Sequence, residues 1–167
     1  MRFLPKQIWK EEFNYYSDKS VNGLKTDIQQ LFDETEGWNF SVNLVGEFTS
    51  EFEFTMTPKW QFIFIKNFER QISYLKGHIF SDEFKRTQVT FTVRPNSIFL
   101  IFFFICPMFG ISALTTDNIN GDDEVRIVGL ILTTAAPALM LLFGHFAKKG
   151  IKNRFVRTFD LKPISRQ

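Results

Sequence analysis

Hydrophobic positions in the first half of the chain recur first with the period of a helix and then with that of strands. Candidate N-caps lie at Ser17, Asp18 and Ser20, and Gly37 is placed to end the helix that would follow them. Apolar side chains at three- and four-residue spacing mark the segment between: Val21, Leu24, Ile28, Leu31 and Phe32. This spacing predicts one amphipathic helix.

Alternation of apolar and polar residues replaces the helical spacing further along. Phe52, Phe54 and Met56 alternate with Glu and Thr, and Val89, Phe91 and Val93 alternate with Gln, Thr and Arg. Such period-two patterns predict strands with one face in water. Further candidate strands are the segments 13–16, 40–48, 61–65 and 72–80. We therefore expect residues 1–94 to form a small α+β domain, with one helix packed on a curved antiparallel sheet of about five strands.

Two long apolar runs dominate the second half of the chain. The first contains no ionisable side chain except that of Cys106, and the second none except that of His145. The first run, 95–116, has 22 positions, which rise about 33 Å as a helix, enough to cross a hydrocarbon core of about 30 Å. Buried core helices are the alternative, but two runs that are apolar on all sides would lack partners to cover them in so small a chain. The pattern predicts a transmembrane hairpin over 95–147, with spans at about 96–116 and 127–147.

Charge is distributed unevenly around these runs, although the formal net charge is only +2. The predicted external loop, residues 117–126, contains Asp117, Asp122, Asp123 and Glu124. Cations flank the opposite ends of the runs, at Lys85, Arg86 and Arg94 on one side and at Lys148, Lys149, Lys152, Arg154 and Arg157 on the other. Because Lys and Arg near the ends of spans set orientation, we expect a multi-pass protein of the cell (inner) membrane with both termini in the cytoplasm.

Residues 148–167 are predicted to form a basic cytoplasmic tail that sets topology and contacts lipid headgroups. Ile151, Phe155 and Phe159 lie at four-residue spacing, which would place them on one helical face while the cations face the headgroups. The segment 154–159 also fits a second geometry, as a strand added to the cytoplasmic sheet.

Prolines and small residues interrupt the two spans. Pro107 and Pro137 each remove a helical hydrogen bond and mark kinks, read either as hinges or as features of packing shape. Thr133 and Thr134 lie within a turn of Pro137, where hydroxyls can satisfy freed carbonyls. Small residues at Gly129 and at the nearby alanines 135, 136 and 138 could let another helix approach closely.

Composition excludes several classes of protein. The chain is 44% apolar and contains 22 Phe residues, and its single cysteine cannot form an intramolecular disulfide. Cys106 lies in an apolar run, where we expect it to behave as a small hydrophobe rather than a nucleophile. The weak net charge disfavours nucleic-acid binding, and the charges at Lys10, Glu11 and Glu12 leave no room for a signal peptide.

The inventory of chemically active residues is thin. His78 and His145 are the two imidazoles, and no nucleophile elbow, phosphate-binding loop, zinc-protease motif or dinucleotide turn is present. We therefore expect no enzyme activity, no cofactor and no metal. His145, at the end of a span, is a candidate pH-sensitive group or a side chain that simply reaches the interface. The carboxylates Glu47, Glu51, Glu53, Asp82 and Glu83 could bind a hard cation, or form a solvated strand face.

The order of these features resembles small bacterial two-helix membrane proteins with an N-terminal α+β domain. The resemblance rests on the motifs Gly46-Glu47-Phe48, Phe52-x-Phe54, Gly77-His78-Ile79 and Arg94-Pro95-Asn96, with a turn at Pro58. It implies a bacterial cytoplasmic membrane. It supplies no catalytic residue, because such families generally carry no assigned activity.

Two functional hypotheses follow from these expectations. The first is a non-enzymatic accessory or scaffold subunit that anchors a small interaction domain at the inner membrane, with the lipid bilayer and a protein partner or homo-oligomer as its contacts. The second is an oligomeric pore-forming or membrane-perturbing effector gated by the cytoplasmic domain. A pore normally needs a wet stripe, and the spans offer only Ser112, Thr133, Thr134 and His145 for one.

Overall fold

A computed structural model describes residues 10–35, 44–58, 72–83, 85–115 and 123–164. The helices are α1 (Val21–Thr35), α2 (Ser97–Thr115) and α3 (Asp123–Thr158). The strands are β1 (Glu11–Ser17), β2 (Leu44–Phe48), β3 (Glu53–Pro58), β4 (Ser73–Ser81), β5 (Thr87–Pro95) and β6 (Lys162–Pro163). The described residues form two compact units, one from the parts of the chain up to Pro95 and from Ala147 onward, the other from Asn96–Phe146.

The first unit, which we call the sheet unit, is built on six antiparallel strands in the order β2-β3-β4-β5-β1-β6. Strands β2 to β5 follow one another as a meander, and β1 pairs beside β5, with Phe13 opposite Phe91. The segment β1-α1-β2 therefore leads the chain across the sheet, from β1 near one edge to β2 at the opposite edge. The expected α+β architecture is found in the described residues, where a short strand that the sequence did not predict, β6, also pairs with β1.

Helix α1 covers one face of the sheet, as its spacing predicted. Leu24, Ile28, Leu31 and Phe32 are all buried. Of the candidate caps, Ser20 begins the helix: its Oγ accepts a hydrogen bond from the backbone N–H of Gly23 at 3.1 Å. Gly37, the predicted stop signal, lies outside the described residues, as does the predicted strand 61–65.

The strand predictions hold because alternate side chains in β3 and β5 enter the core. Phe54, Met56, Val89, Phe91 and Val93 have no exposed surface. Gly77 in β4 makes room for the ring of Phe54, the residue opposite it in β3. A Cβ added at Gly77 would lie only 2.3 Å from the Phe54 ring. A glycine here lets the phenyl ring lie against the backbone of the neighbouring strand.

The second unit, which we call the helical hairpin, contains α2 and the first part of α3. Both helices are long and apolar enough to cross a membrane, with mean hydropathies of 2.3 and 2.1 over their most apolar windows. Helix α2 begins two residues after β5 ends, and Asn96 caps it by accepting a hydrogen bond from the N–H of Ile98 at 2.7 Å. The strand therefore leads directly into the first apolar helix, as predicted.

The two helices of the hairpin approach each other closely at two glycines. A Cβ at Gly110 would lie 2.6 Å from the carbonyl oxygen of Gly129 and 2.2 Å from Oγ1 of Thr133. Small residues permit this backbone-to-backbone approach. Gly129, suggested by the sequence as a contact for another helix, thus packs against α2 of its own chain.

Helix α3 differs from the prediction at its C-terminal end. It continues unbroken to Thr158, so the first part of the expected basic tail (148–158) is helical, and the alternative strand at 154–159 is not formed. The helix ends where Asp160 takes a left-handed conformation (φ 48°) and the N–H of Leu161 bonds to the carbonyl of Val156 at 3.0 Å. This turn directs the chain into β6.

Candidate functional site

The face of the sheet that carries α1 also carries the end of α3. Ile151 and Phe155 of this helix and Phe159 directly after its end are buried in one core, which confirms the helical interpretation of this segment. The ring centroid of Phe155 lies 5.0 Å from that of Phe91 and 5.5 Å from that of Phe54. The segment after the second apolar run is therefore part of the core of the sheet unit.

A buried ion pair joins α3 to β1 beside this core. The ammonium group of Lys148 bonds to Oε1 of Glu11, and the two side chains are 5% and 34% exposed. Lys148 was predicted to face lipid headgroups, but the helix directs its side chain into the unit. Sequence reasoning missed Glu11 as its partner, although the alternation in β1 places Glu11 on the same face as Phe13.

The other predicted headgroup cations point in different directions. Lys152 lies over the ring of Phe13, with its ammonium nitrogen 4.2 Å from the ring centroid, so it too packs partly on the sheet. Lys149, Arg154 and Arg157 are exposed. The cations that remain available to a headgroup layer are therefore fewer than the composition of the segment suggests.

The predicted kink and pH-sensitive residues lie in the helical hairpin. Pro107 is half-buried and Pro137 is buried, each inside a continuous helix, while His145 is exposed with its ring centroid 6.1 Å from that of Phe146. Thr133 and Thr134 do not donate to the carbonyl that Pro137 frees. Their hydroxyls donate at 2.7 Å to carbonyls one turn earlier in α3, those of Gly129 and Leu130.

The opposite side of the sheet is a broad polar surface, which we call the open face. It is formed by the side chains that alternate with the core residues, in cross-strand rows. One row runs through Glu47, Thr55, Lys76, Thr92 and Glu12, and the next through Glu53, His78, Thr90 and Asn14.

Several contacts order this open face. Lys76 pairs with Glu53 at 3.0 Å, the Thr90 hydroxyl donates to Asn14 at 2.7 Å, and the Arg94 guanidinium lies 4.6 Å from the ring centroid of Tyr74. Helix α1 packs on the opposite, core side of the sheet, where the Phe32 ring lies against Gly46. The strand pattern alone predicted one wet face, but not which side chains it would bring together.

The acidic cluster suggested by the sequence is divided among other contacts. Glu53 pairs with Lys76, and Asp82 accepts hydrogen bonds from the N–H of Glu83 at 2.7 Å and from the Gln88 amide at 2.9 Å. No group of three histidine, cysteine or acidic side chains that could hold a metal ion occurs within the described ranges. Asp117 and Asp122 of the predicted loop lie outside them.

A second surface contact attaches β6 at the sheet edge. Lys162 bonds to Asp18 at 2.5 Å, and this hydrogen bond raises the pKa of the exposed Lys162 ammonium above its usual 10.5. A lysine whose pKa is raised on folding contributes fully to folding stability at pH values below its ordinary pKa. It loses this contribution as the pH rises through the raised pKa. This contact is therefore complete at neutral pH.

Comparison with known proteins gives no relative from which to transfer a role. No family model, curated protein or solved structure matches the chain.

Proposed function

We propose that this chain is an integral membrane protein whose helical hairpin spans the bilayer and anchors the sheet unit at the inner surface of a bacterial cytoplasmic membrane. In this proposal the sheet unit is a non-enzymatic interaction domain, an accessory or scaffold subunit that binds a protein partner through the open face.

The shared core of the sheet unit is the observation that carries the proposal. Residues on both sides of the hairpin in sequence meet in that core, where Phe155 packs on Phe54 and Phe91. The segments before α2 and after the apolar part of α3 must therefore lie on the same side of any membrane. A hairpin that crosses twice meets this requirement.

The exposure of the apolar helices supports the same conclusion. In the most apolar 18-residue stretch of each helix, only 6% of α2 and 11% of α3 is buried inside the protein. Met108, Phe109 and Phe146 are each more than 60% exposed. Soluble monomers rarely expose apolar patches larger than a few hundred Å². Exposure of this apolar surface to water is unfavourable, and contact with lipid would avoid it.

The orientation rests on charge. Among the described residues, one cation, Arg126, lies near the start of α3, whereas Lys149, Arg154 and Arg157 lie beyond its apolar part. An excess of Lys and Arg near the ends of spans is retained in the cytoplasm. The sheet unit and the C-terminus are therefore assigned to the cytoplasmic side.

The interaction role rests on the character of the open face. Its side chains include Tyr74, His78 and Phe80, set among threonines and a few charges. Aromatic side chains among polar ones are typical of protein interfaces. The alternative, a pore, has less support, because the hydroxyls of Thr133 and Thr134 donate to carbonyls of their own helix instead of forming a wet stripe.

Cysteine labelling tests the membrane topology. In a Cys106→Ala background, we expect Asn118→Cys to react with a membrane-impermeant maleimide in intact cells, and Thr26→Cys in α1 to react only after permeabilisation. The reason is that the connection between α2 and α3 would face outward while α1 belongs to the sheet unit. Labelling of both cysteines in intact cells, or of neither, would contradict the proposed orientation.

Substitution on the open face tests the interaction role. We expect Thr90→Lys to abolish co-purification of a protein partner with the full chain in nanodiscs, because it places a charge at the centre of the open face. Thr26→Lys on α1 is the matched control and should leave co-purification unchanged. Mass photometry distinguishes a second copy from another protein. Equal behaviour of the two variants would count against the open face as the binding surface.

A further inference from the structure

A shallow pocket of about 270 Å³ lies at one end of the open face. Its lining includes three cations, two hydroxyl groups and one phenol: Lys10, Lys76, Arg94, Thr55, Thr92 and Tyr74. Thr55 and Thr92 flank Lys76 across the sheet, one on β3 and one on β5. Neighbouring strands thus place donors on both sides of a central lysine.

Like charges meet at this end of the sheet. Glu11 pairs with Val93 in the register of β1 and β5, so the residues next to them, Lys10 and Arg94, lie beside each other on the open face. Like charges on facing strand positions destabilise a sheet. Glu47 and Glu12 lie at the two ends of the row that contains Lys76, and Glu53 reaches Lys76 from the adjoining row at 3.0 Å. None of these three carboxylates lines the pocket.

The mixture of donors favours one class of anion. A carboxylate is satisfied by a single arginine, whereas a phosphate group offers several acceptor oxygens at once. An arginine provides a planar fork of donors and a lysine provides a compact point charge. One guanidinium, two ammonium groups and two hydroxyls around one cavity therefore match a phosphate group better than a carboxylate.

The position of Arg94 in the chain brings this chemistry close to the start of α2. Arg94 precedes Ser97, the first residue of α2, by three residues. Three residues of chain span at most about 11 Å. If α2 enters the membrane at its first turn, Arg94 lies within reach of the headgroup layer.

We propose that this pocket binds a phosphate group, supplied either by the headgroup of an anionic phospholipid or by a soluble phosphate compound. The lipid source rests on the proposed membrane function, whereas the soluble source does not. Arg94 and Lys76 hold the phosphate oxygens, and the hydroxyls of Thr55 and Thr92 donate from either side.

Titration of the full chain in a neutral detergent tests the pocket with two probes. Native mass spectrometry would follow binding of phosphatidylglycerol, with phosphatidylcholine as the zwitterionic comparison, and isothermal titration calorimetry would follow inorganic phosphate. We expect one saturable phosphate site, weakened about tenfold by Arg94→Gln and by Lys76→Gln, the loss typical of one charge-assisted hydrogen bond. Lys76 is a surface residue, so its variant keeps the test valid if Arg94→Gln fails to fold.

Lys162→Gln is the matched control, because it removes the same charge from the edge strand β6, away from the pocket. It should bind both probes like the unmodified protein. Preferential binding of phosphatidylglycerol with competition by inorganic phosphate identifies a lipid headgroup as the occupant. Binding of inorganic phosphate alone identifies a soluble compound.

Two outcomes would overturn the proposal. One is the absence of saturable binding of either probe, and the other is binding that Arg94→Gln, Lys76→Gln and Lys162→Gln weaken equally, as expected for diffuse charge attraction. The calorimetric arm needs no bilayer, so a failure of the proposed membrane topology would be detected separately by the cysteine labelling.

Discussion

Replacement of Phe155 by alanine is expected to destabilise the sheet unit by about 3–5 kcal/mol, the usual cost of removing a buried phenyl ring. Phe155 is completely buried, and its ring lies against those of Phe54, Phe91 and Phe159. Little of the resulting cavity can collapse, because these neighbours belong to different elements. Urea unfolding of the full chain in mild detergent, followed by circular dichroism in the strand region, would measure the loss.

Arg157→Ala provides the control for this prediction. Arg157 lies two residues further along α3 and is exposed, so its truncation should change the unfolding free energy by less than about 0.5 kcal/mol. Similar unfolding midpoints for the Phe155 and Arg157 variants would show that the end of α3 does not contribute to the core.

The ion pair between Glu11 and Lys148 leads to an asymmetric prediction. Glu11→Ala is expected to cost about 3 kcal/mol, because it deprives a buried ammonium group of its carboxylate partner. Lys148→Met is expected to cost less, because the Glu11 side chain is 34% exposed and can be hydrated, whereas that of Lys148 is only 5% exposed. The methionine also retains the apolar contacts of the lysine stem.

A double-mutant cycle with Glu11→Ala and Lys148→Met would measure the coupling in the same urea experiment. We expect the double variant to be more stable than Glu11→Ala alone, since it contains no buried charge at this position. Strictly additive costs would mean that the pair contributes no coupling energy. Equal costs for the two single variants would contradict the predicted asymmetry.

Local periodicity was sufficient to predict several elements of this fold. The three- and four-residue spacing of Leu24, Ile28 and Leu31 predicted α1, and the period-two spacing of Val89, Phe91 and Val93 predicted β5. The two apolar runs predicted helices long enough to cross a membrane. In each case the signal lies within one element, where neighbouring residues share a face or an environment.

Partners that are distant in sequence could not be found in this way. Glu11 and Lys148 are separated by 137 positions, and the residues next to each of them in sequence do not indicate its partner. The basic segment after the second run illustrates the same limit. Its charge predicted a tail at the lipid surface, but Phe155 lies in the core and Lys148 of the same helix is buried. Charge composition reports which residues are present, whereas helix rotation decides which of them face the sheet.

The open face and its pocket also depend on register. The alternation in β4 places Lys76 on a wet face, yet only strand pairing puts Thr55 and Thr92 beside it and brings Arg94 next to Lys10. A shift of one residue in either pairing would send these side chains to the opposite face. The grouping of cations and hydroxyls in the pocket therefore depends on the order and the register of the strands.

The sequence alone determined that α1 is helical, that β3 and β5 are extended and that two runs are apolar enough to cross a membrane, because each of those properties depends on spacing within a single segment. Only the tertiary structure decided that the end of α3 completes the core of the sheet unit and that Lys148 is paired rather than exposed. The physical reason is that burial of Phe155 and pairing of Lys148 with Glu11 depend on surfaces that exist only after the strands between them have assembled.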